Sequence, residues 1–131
     1  MQKYLKKLIS NSQFKRSFSS FRWDLLRFLA RRRTAKMYRR YLAKYKIFPS
    51  KLHFGCGSRK IEGWLNCDVQ NSDLDIDLAS GDLPFKKEQF DFIVSQHCIE
   101  HLWLLDELQP LINKMFSCLK PGGEIWLSCP D

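Results

Sequence analysis

The sequence predicts an α/β domain built on a parallel β-sheet and preceded by basic amphipathic helices. From Lys51 onward, short apolar runs alternate with Gly, Pro and Asp, which is typical of buried parallel strands. Before Lys51, apolar residues recur at helical spacing. Residues 1–50 contain 15 Lys and Arg against one acid, whereas residues 51–131 contain 7 against 13. We therefore divide the chain into a basic amphipathic helical segment, 1–50, and a domain, 51–131.

Length and composition limit the classes of protein that the chain can represent. A chain of 131 residues can form one hydrophobic core and is too short for two domains of ordinary size. No apolar run approaches the roughly 18 residues that a membrane-spanning helix needs. The five cysteines are scattered and form no Cys-x-x-Cys pair, which indicates free thiols rather than disulfides or a zinc site. We therefore expect a cytoplasmic protein.

Two helices are predicted in the basic segment. The first has an apolar stripe at spacings of 4, 3, 4, 3 and 1, formed by Phe14, Phe18, Phe21, Leu25, Phe28 and Leu29. The second is predicted from about Ala35 to Lys46, because Pro49 discourages its continuation.

Four interpretations of this segment remain open. An apolar stripe beside an Arg-rich remainder favours binding to an anionic membrane surface. Equally, the stripe can pack on the domain while the charges face solvent. An acid-poor start containing "RSFSS" also suits a mitochondrial transit peptide. Nucleic-acid binding rests on charge alone and is the least favoured.

Five strands and one helix are predicted in the domain. The strands are "KLHFG", "WLNCDV", "LDIDL", "FDFIVS" and "EIWLSC". A helix lies between the last two strands, and Pro110 should split it before "KPGG" ends it. Its apolar positions are Leu105, Leu108, Ile112, Met115, Phe116 and Leu119.

A glycine turn and an acid indicate where a ligand would bind. Gly55 and Gly57 follow the first strand and permit close approach of the backbone to a ligand. Asp68 ends the second strand, where a carboxylate can accept hydrogen bonds from ribose hydroxyls. Lys60 stands where the dinucleotide fingerprint has its third glycine, which disfavours a nicotinamide or flavin. Taken alone, Gly-x-Gly is as typical of an ordinary tight turn.

Two later segments, "GDLPFKKEQFDFIVSQHCIEHL" and "LKPGGEIWLSCPD", follow in an informative order. With the glycine turn, they resemble the class I S-adenosylmethionine-dependent methyltransferases. The chain looks most like the small, type 11-like bacterial group in which the turn runs into a "GW-N-D" segment, here Gly63, Trp64, Asn66 and Asp68. The resemblance covers 51–131 and implies a Rossmann-like sheet of order 3-2-1-4-5 with S-adenosylmethionine as cofactor.

The resemblance also implies roles for individual residues. The implied cofactor-binding set is Gly55, Cys56, Gly57, Asp68, Asp77, Ser95 and Gln96. In the family, the glycine turn packs against the methionine part of the cofactor, the Asp68 position binds ribose, and the Asp77 region contacts adenine. Ser95 and Gln96 follow the fourth strand beneath the cofactor.

Several side chains have competing interpretations. His97 is the candidate catalytic base, which would remove a proton from a hydroxyl or amine acceptor. His97 and His101 could share a helix face, which also suits a metal, although we predict no metal site. Glu100 and His101 are predicted instead to cap and pack the start of a helix, and His53 to be a core histidine. The tryptophans predicted to lie in the core are Trp64, Trp103 and Trp126.

The expected function is methyl transfer from S-adenosylmethionine to an oxygen or nitrogen acceptor, in glycan or lipid-linked saccharide biosynthesis. The alternative is a truncated, non-catalytic protein that either binds the cofactor or is a membrane-associated interaction protein. The chain departs from the family pattern in two places, and each generates an expectation.

Only six residues, Ser58–Gly63, separate Gly57 from Trp64, so the first crossover helix should be missing. We hypothesise that the helix predicted from Ala35 covers the sheet face left bare. Complete family members also continue past the fifth strand with two more strands, whereas this sequence stops at Asp131. We therefore expect a shortened chain, or another subunit covering the edge of the fifth strand.

Overall fold

A computed structural model describes residues 12–130, with side chains from residue 19 onward. Its first element is one long helix, α1, Ser12–Lys44. The prediction of two helices is therefore wrong. No Gly or Pro interrupts the sequence between the two predicted stretches, so nothing breaks the helical hydrogen-bond ladder. Phe14 and Phe18 of the apolar stripe lie outside the residues whose side chains are described.

The domain is a five-stranded parallel sheet in the order β3-β2-β1-β4-β5, which confirms the predicted fold class and strand order. Its strands are β1 Lys51–Phe54, β2 Leu65–Asp68, β3 Leu74–Asp75, β4 Phe90–Gln96 and β5 Leu119–Ser128. A short 3-10 helix, Leu78–Ser80, follows β3, and another, Ile99–His101, follows β4. A π-helical turn, Leu104–Leu108, then leads into helix α2, Gln109–Cys118.

Helix α2 and the turn before it bring part of the predicted apolar set to the core: Met115 is buried, and Ile112 and Leu119 pack against the core. Pro110 lies in its first turn and separates it from the π-helical turn, as expected. The buried positions are Leu111, Met115 and Cys118, whereas Leu105 and Phe116 are exposed. The apolar spacing of this stretch fits two adjacent helix faces, and only contact with the sheet decides between them.

Strand β5 is longer than predicted. Leu119 is already extended and pairs with Phe90, so "KPGG" lies within the strand rather than ending the helix. Among the described residues β5 is an edge strand, and Trp126 and Leu127 on it are exposed. Trp103 is exposed as well. The prediction that Trp103 and Trp126 lie in the core is therefore wrong.

The two faces of the sheet are covered differently. In parallel register, Leu52, Leu65 and Ile93 share one face, and they belong to the main hydrophobic core together with the buried residues of α2. The partly buried residues of α1 that pack against this same core are Met37, Tyr38 and Tyr41. Helix α1 therefore covers the face that α2 also covers. The hypothesis that it covers the face left by the missing crossover helix is wrong.

On the opposite face, the turn between β1 and β2 replaces a crossover helix. The Asn66 side chain holds this turn: its Oδ1 accepts a hydrogen bond from Ile61 N at 2.8 Å, and its Nδ2 donates to Ile61 O at 3.0 Å and to Trp64 O at 3.1 Å. His53 is buried with its Nδ1 3.3 Å from Asn66 Oδ1, as expected for a core histidine. The Asn66 side chain thus holds two residues of the connection, Ile61 and Trp64, in place.

No helix in the described part of the chain is both long enough and apolar enough to span a membrane.

Candidate functional site

The predicted site residues come together at the carboxyl edge of the sheet. The Gly55–Gly57 turn follows β1, Asp68 ends β2, and Ser95 and Gln96 end β4. These three strands are adjacent and parallel. Parallel strands place their carboxyl ends at the same edge, which is where ligands bind in open α/β sheets.

Positions 55 and 57 of the turn are glycine for different structural reasons. Both have positive φ, +66° at Gly55 and +51° at Gly57. A Cβ on Gly55 would lie 2.7 Å from the Cys98 Cβ, so the turn packs closely against the segment after β4. A Cβ on Gly57 would meet no atom within 4 Å. Gly55 therefore allows the turn to pack, and Gly57 leaves open space above its backbone.

Asp68 lies directly against this turn. One carboxylate oxygen accepts a hydrogen bond from Gly57 N at 2.7 Å, and the other accepts one from Val69 N at 2.6 Å. A carboxylate has roughly four lone-pair sites, so each oxygen keeps capacity for a ligand hydroxyl. The contact fixes the predicted ribose acid relative to the glycine turn.

Cys56 connects this turn to β2 through a backbone hydrogen bond. Its N–H donates to Cys67 O at 3.2 Å, and its side chain is buried. Burial raises the pKa of the Cys56 thiol to about 11, and burial likewise raises the pKa of Cys98 to about 11. Both groups are therefore neutral thiols at physiological pH rather than nucleophilic thiolates.

Asp77 is buried beneath helix α1. Its carboxylate accepts hydrogen bonds from Arg27 Nε at 3.0 Å and Arg31 Nε at 2.6 Å, and it caps the following 3-10 helix through Ala79 N at 3.2 Å. Arg27 also donates to Glu107 at 3.0 Å. Burial disfavours the Arg27 charge, but the Asp77 and Glu107 carboxylates outweigh it and raise the pKa of Arg27. The role of Asp77 in the adenine region remains a prediction.

The end of β4 presents three residues in different environments. Ser95 is buried, and its hydroxyl has no hydrogen-bond partner among the described residues. Gln96 and His97 are exposed. His97 has a φ of +51°, which is uncommon for a residue with a side chain, and its N–H donates to Ser128 O at 3.0 Å. The candidate base therefore sits on a tight, accessible turn.

His97 and His101 do not share a helix. His97 lies in the turn after β4, and His101 ends the 3-10 helix that begins at Ile99. That short helix has no side-chain cap, and His101 is exposed, so the prediction that Glu100 and His101 cap and pack a helix start is wrong. Across residues 12–130, no group of three His, Cys, Asp or Glu residues is placed to hold a metal ion.

The sequence reasoning missed Arg27 and Arg31, which hold Asp77, and missed the structural role of Asn66. The arginines carried a signal, because they are four residues apart and lie off the apolar stripe. Asn66 carried a weaker signal as the polar residue inside an otherwise apolar strand, where a buried amide needs several partners.

The residues at this edge fit S-adenosylmethionine. Asp68 retains acceptor capacity for hydroxyl groups, and the space above Gly57 is free of protein atoms. The Ser95 hydroxyl is a buried polar group that lacks a partner within the described part of the chain. A ligand with hydroxyl, amine and carboxylate groups matches this set of donors and acceptors.

Comparison with known proteins gives one family match, over just under half of the chain. Residues 67–127 match the family model described as a methyltransferase domain. No curated protein sequence matches the chain. The match supports S-adenosylmethionine as the cofactor.

Two solved structures are similar to part of the chain. One is a chain of the complex between the Haloferax volcanii Trm112 methyltransferase activator and a methyltransferase, at 18% identity and a TM-score of 0.44, covering 74% of this chain and 53% of that one. The other is an S-adenosylmethionine-dependent methyltransferase from Methanococcus maripaludis, at 12% identity and a TM-score of 0.46, covering 81% of this chain and 61% of that one. The chain thus spans little more than half the length of either. Residues 67–127 are thus similar to a methyltransferase domain.

Proposed function

We propose that this chain transfers a methyl group from S-adenosylmethionine to an oxygen or nitrogen atom of an acceptor at the carboxyl edge of its sheet. The observation that carries the proposal is the 2.7 Å hydrogen bond from Gly57 N to the Asp68 carboxylate. It joins the turn and the acid that the resemblance assigns to the two ends of one cofactor. The methyltransferase match over residues 67–127 includes Asp68, although not the glycine turn, and supports methyl transfer.

The cofactor supplies a methyl group already activated by its sulfonium, so the protein mainly has to bind, orient and exclude water. In our proposal Asp68 accepts hydrogen bonds from the ribose hydroxyls, and the turn from Gly55 to Gly57 contacts the methionine part. Gln96 and His97 lie exposed beside them, and His97 removes a proton when the acceptor is a hydroxyl or a protonated amine. No other acid or base is required.

For the acceptor class, we propose a glycan or lipid-linked saccharide. The basic helix α1 carries exposed apolar residues on the turns around Arg27, which bonds to Asp77 after the carboxyl end of β3. Such residues suit an acceptor held at a lipid surface. An acceptor with hydroxyl groups also agrees with the accessible candidate base His97.

One observation favours a second candidate, a cofactor-binding protein without turnover. Strand β5 is an exposed edge among the described residues, with Trp126 62% and Leu127 38% exposed. Protein surfaces of this kind are normally covered. In this second candidate function, a partner subunit covers β5, and the chain transfers no methyl group without that subunit.

Calorimetric titration of the purified chain with S-adenosylmethionine tests the proposal. We expect binding by the wild type, equal binding by Asp82→Ala, and binding at least about tenfold weaker for Asp68→Ala, because each lost hydrogen bond to a charged group contributes roughly 1.5–3 kcal/mol. Asp82 is a matched control, since its carboxylate is exposed and accepts no hydrogen bond from the described residues. A folded wild type that does not bind would refute the proposal.

A pair of glycine variants separates the turn from general damage. Gly55→Ala would place a Cβ 2.7 Å from Cys98 Cβ, so we expect it to abolish binding and lower stability. Gly57→Ala meets no protein atom, so its stability loss should be limited to about 1 kcal/mol from the positive φ. If Gly57→Ala nevertheless binds much more weakly, the open space above Gly57 is the ligand site. If both variants bind S-adenosylmethionine as tightly as wild type, the cofactor does not bind at this turn.

Turnover, once an acceptor is found, tests His97. We expect His97→Gln to retain cofactor binding while kcat falls by about 10²-fold or more. A matched His101→Gln variant should behave as wild type. Equal kcat for His97→Gln and wild type would remove His97 from the catalytic set.

A further inference from the structure

Helix α1 has two faces with different surroundings. Its inner face contacts the domain through Arg27, Ala30, Thr34, Tyr38 and Tyr41, which recur every three or four residues. The apolar stripe predicted from the sequence falls on the opposite side of the same helix. In the described part it consists of Phe21, Leu25, Phe28 and Leu29.

This stripe is exposed along its described length. Phe21 is 66% exposed, Leu25 46%, Phe28 52% and Leu29 38%. The interpretation that the stripe packs on the domain is therefore wrong for these four residues. A contiguous, exposed group of large apolar side chains marks an interaction surface.

The same side of the helix becomes basic toward its carboxyl end. Arg32, Lys36 and Arg39 follow Phe28 and Leu29 at helical spacing and are exposed. The Arg32 guanidinium lies 5.4 Å from the centre of the Phe28 ring, so the apolar and basic parts are continuous. Within the described residues none of these three cations forms an ion pair. We call the seven residues Phe21, Leu25, Phe28, Leu29, Arg32, Lys36 and Arg39 the outer face of α1.

We propose that the outer face of α1 binds an anionic lipid surface. Its apolar half would enter the boundary between headgroups and acyl chains, while its cations contact lipid phosphates. Arginine and lysine suit this arrangement because their stems cover apolar surface while their charges reach the headgroups. Nucleic acid explains the cations but not two exposed leucines, which neither stack on bases nor contact phosphates.

The inner face fixes where this surface lies. Arg27 and Arg31 bond to Asp77 after β3, and Arg27 also bonds to Glu107. These contacts place the apolar half of the outer face at the carboxyl edge of the sheet. Lipid binding would therefore hold the candidate site close to the membrane surface, without a change in the fold of the domain.

Co-sedimentation of the full chain with vesicles tests the proposal. We expect binding to vesicles of phosphatidylcholine mixed with phosphatidylglycerol and little binding to phosphatidylcholine alone. Phe21→Ser with Phe28→Ser should weaken binding by at least about tenfold, because two large apolar side chains are lost. Arg32→Gln with Lys36→Gln and Arg39→Gln should weaken it by a similar factor and reduce its salt dependence.

Two matched controls keep the result specific. Leu42→Ser removes a leucine that is 46% exposed on the same helix but off the stripe, and Lys86→Gln with Lys87→Gln removes cations from the domain. Both should bind as wild type, and circular dichroism should show every variant folded.

Three outcomes would overturn the proposal. A folded wild type that stays in the supernatant when anionic vesicles are sedimented would do so. Outer-face variants that bind these vesicles as tightly as wild type would also do so. A chain that binds a DNA duplex but no vesicle would instead show that the outer face recognises nucleic acid.

Discussion

The two faces of helix α1 use the same residue types for different purposes. On the inner face, Arg27 and Arg31 bond to the buried Asp77, and Tyr38 packs edge-on against Phe48 and Phe85. On the outer face, Arg32 and Phe28 contact each other and otherwise face solvent. Charge and aromaticity therefore do not decide what a residue on this helix does. The difference lies in the acids and the core that the domain presents to one side only.

The largest expected effect on stability comes from Asp77, which bonds to Arg27 and Arg31 on the inner face. Asp77→Ala removes the partner of two arginines and the cap of a 3-10 helix, so we expect the free energy of unfolding to fall by about 3 kcal/mol. Arg27 and Arg31 are partly exposed and can rehydrate, which keeps the loss from being larger. Urea unfolding measures it, with the exposed Asp82→Ala as control. Equal stability of the two variants would mean that α1 is not held through Asp77.

Aromatic packing on the inner face should contribute somewhat less. The Tyr38 ring centre lies 6.0 Å from that of Phe48 and 5.8 Å from that of Phe85. Because Tyr38 is only partly buried, Tyr38→Ala should lower the free energy of unfolding by about 2 kcal/mol. Leu42→Ala, one turn further along and exposed, should change it little. A loss for Tyr38→Ala no larger than that for Leu42→Ala would mean that the Tyr38 ring does not pack on the domain.

A single hydroxyl gives a smaller test of the same contact. Thr34 Oγ1 lies 2.8 Å from Asp75 O in β3 and 2.8 Å from Ala30 O in its own helix. Thr34→Val keeps the shape but not the donor, so we expect a loss of about 1 kcal/mol in urea unfolding. Thr34→Ser keeps the hydroxyl and should lose less. If Val proves as stable as Thr, the bond to β3 makes no net contribution.

The outer face should give the smallest effect on stability. Phe21→Ser with Phe28→Ser changes two exposed side chains, so the free energy of unfolding should move by less than about 0.5 kcal/mol. Thermal and urea unfolding of this double variant would be compared with those of Tyr38→Ala. A loss matching that of Tyr38→Ala would show that the stripe is buried in solution, and the contrast between the faces would disappear.

Much of the fold could be predicted because its signals are local. Short apolar runs such as "KLHFG" and "FDFIVS" are strands in the structure, and the six-residue connection after Gly57 has no room for a helix. The sheet face covered by α1 could not be predicted, because it depends on contacts between residues far apart in the chain. Met115 of the predicted apolar set is buried whereas Phe116 is exposed, and that choice likewise depends on contact with the sheet.

The candidate site divides in the same way. Gly55, Gly57 and Asp68 were predicted correctly to come together, because strand ends and glycine turns are readable from sequence. The engagement of Asp77 by Arg27 and Arg31 was not, because fifty and forty-six positions separate the arginines from that acid. The backbone bond from His97 to Ser128 in β5 likewise joins residues distant in sequence, and His97 has a positive φ there.

The sequence by itself determined most of the strands, the glycine turn beside its acid, and the presence of an apolar stripe on a basic helix. These follow from periodicity, backbone freedom and connection length, which act over a few residues. Only the tertiary structure decided which side of α1 meets the domain and which side stays exposed. That choice depends on where Asp77 and the aromatic core lie, and those positions exist only once distant segments have packed together.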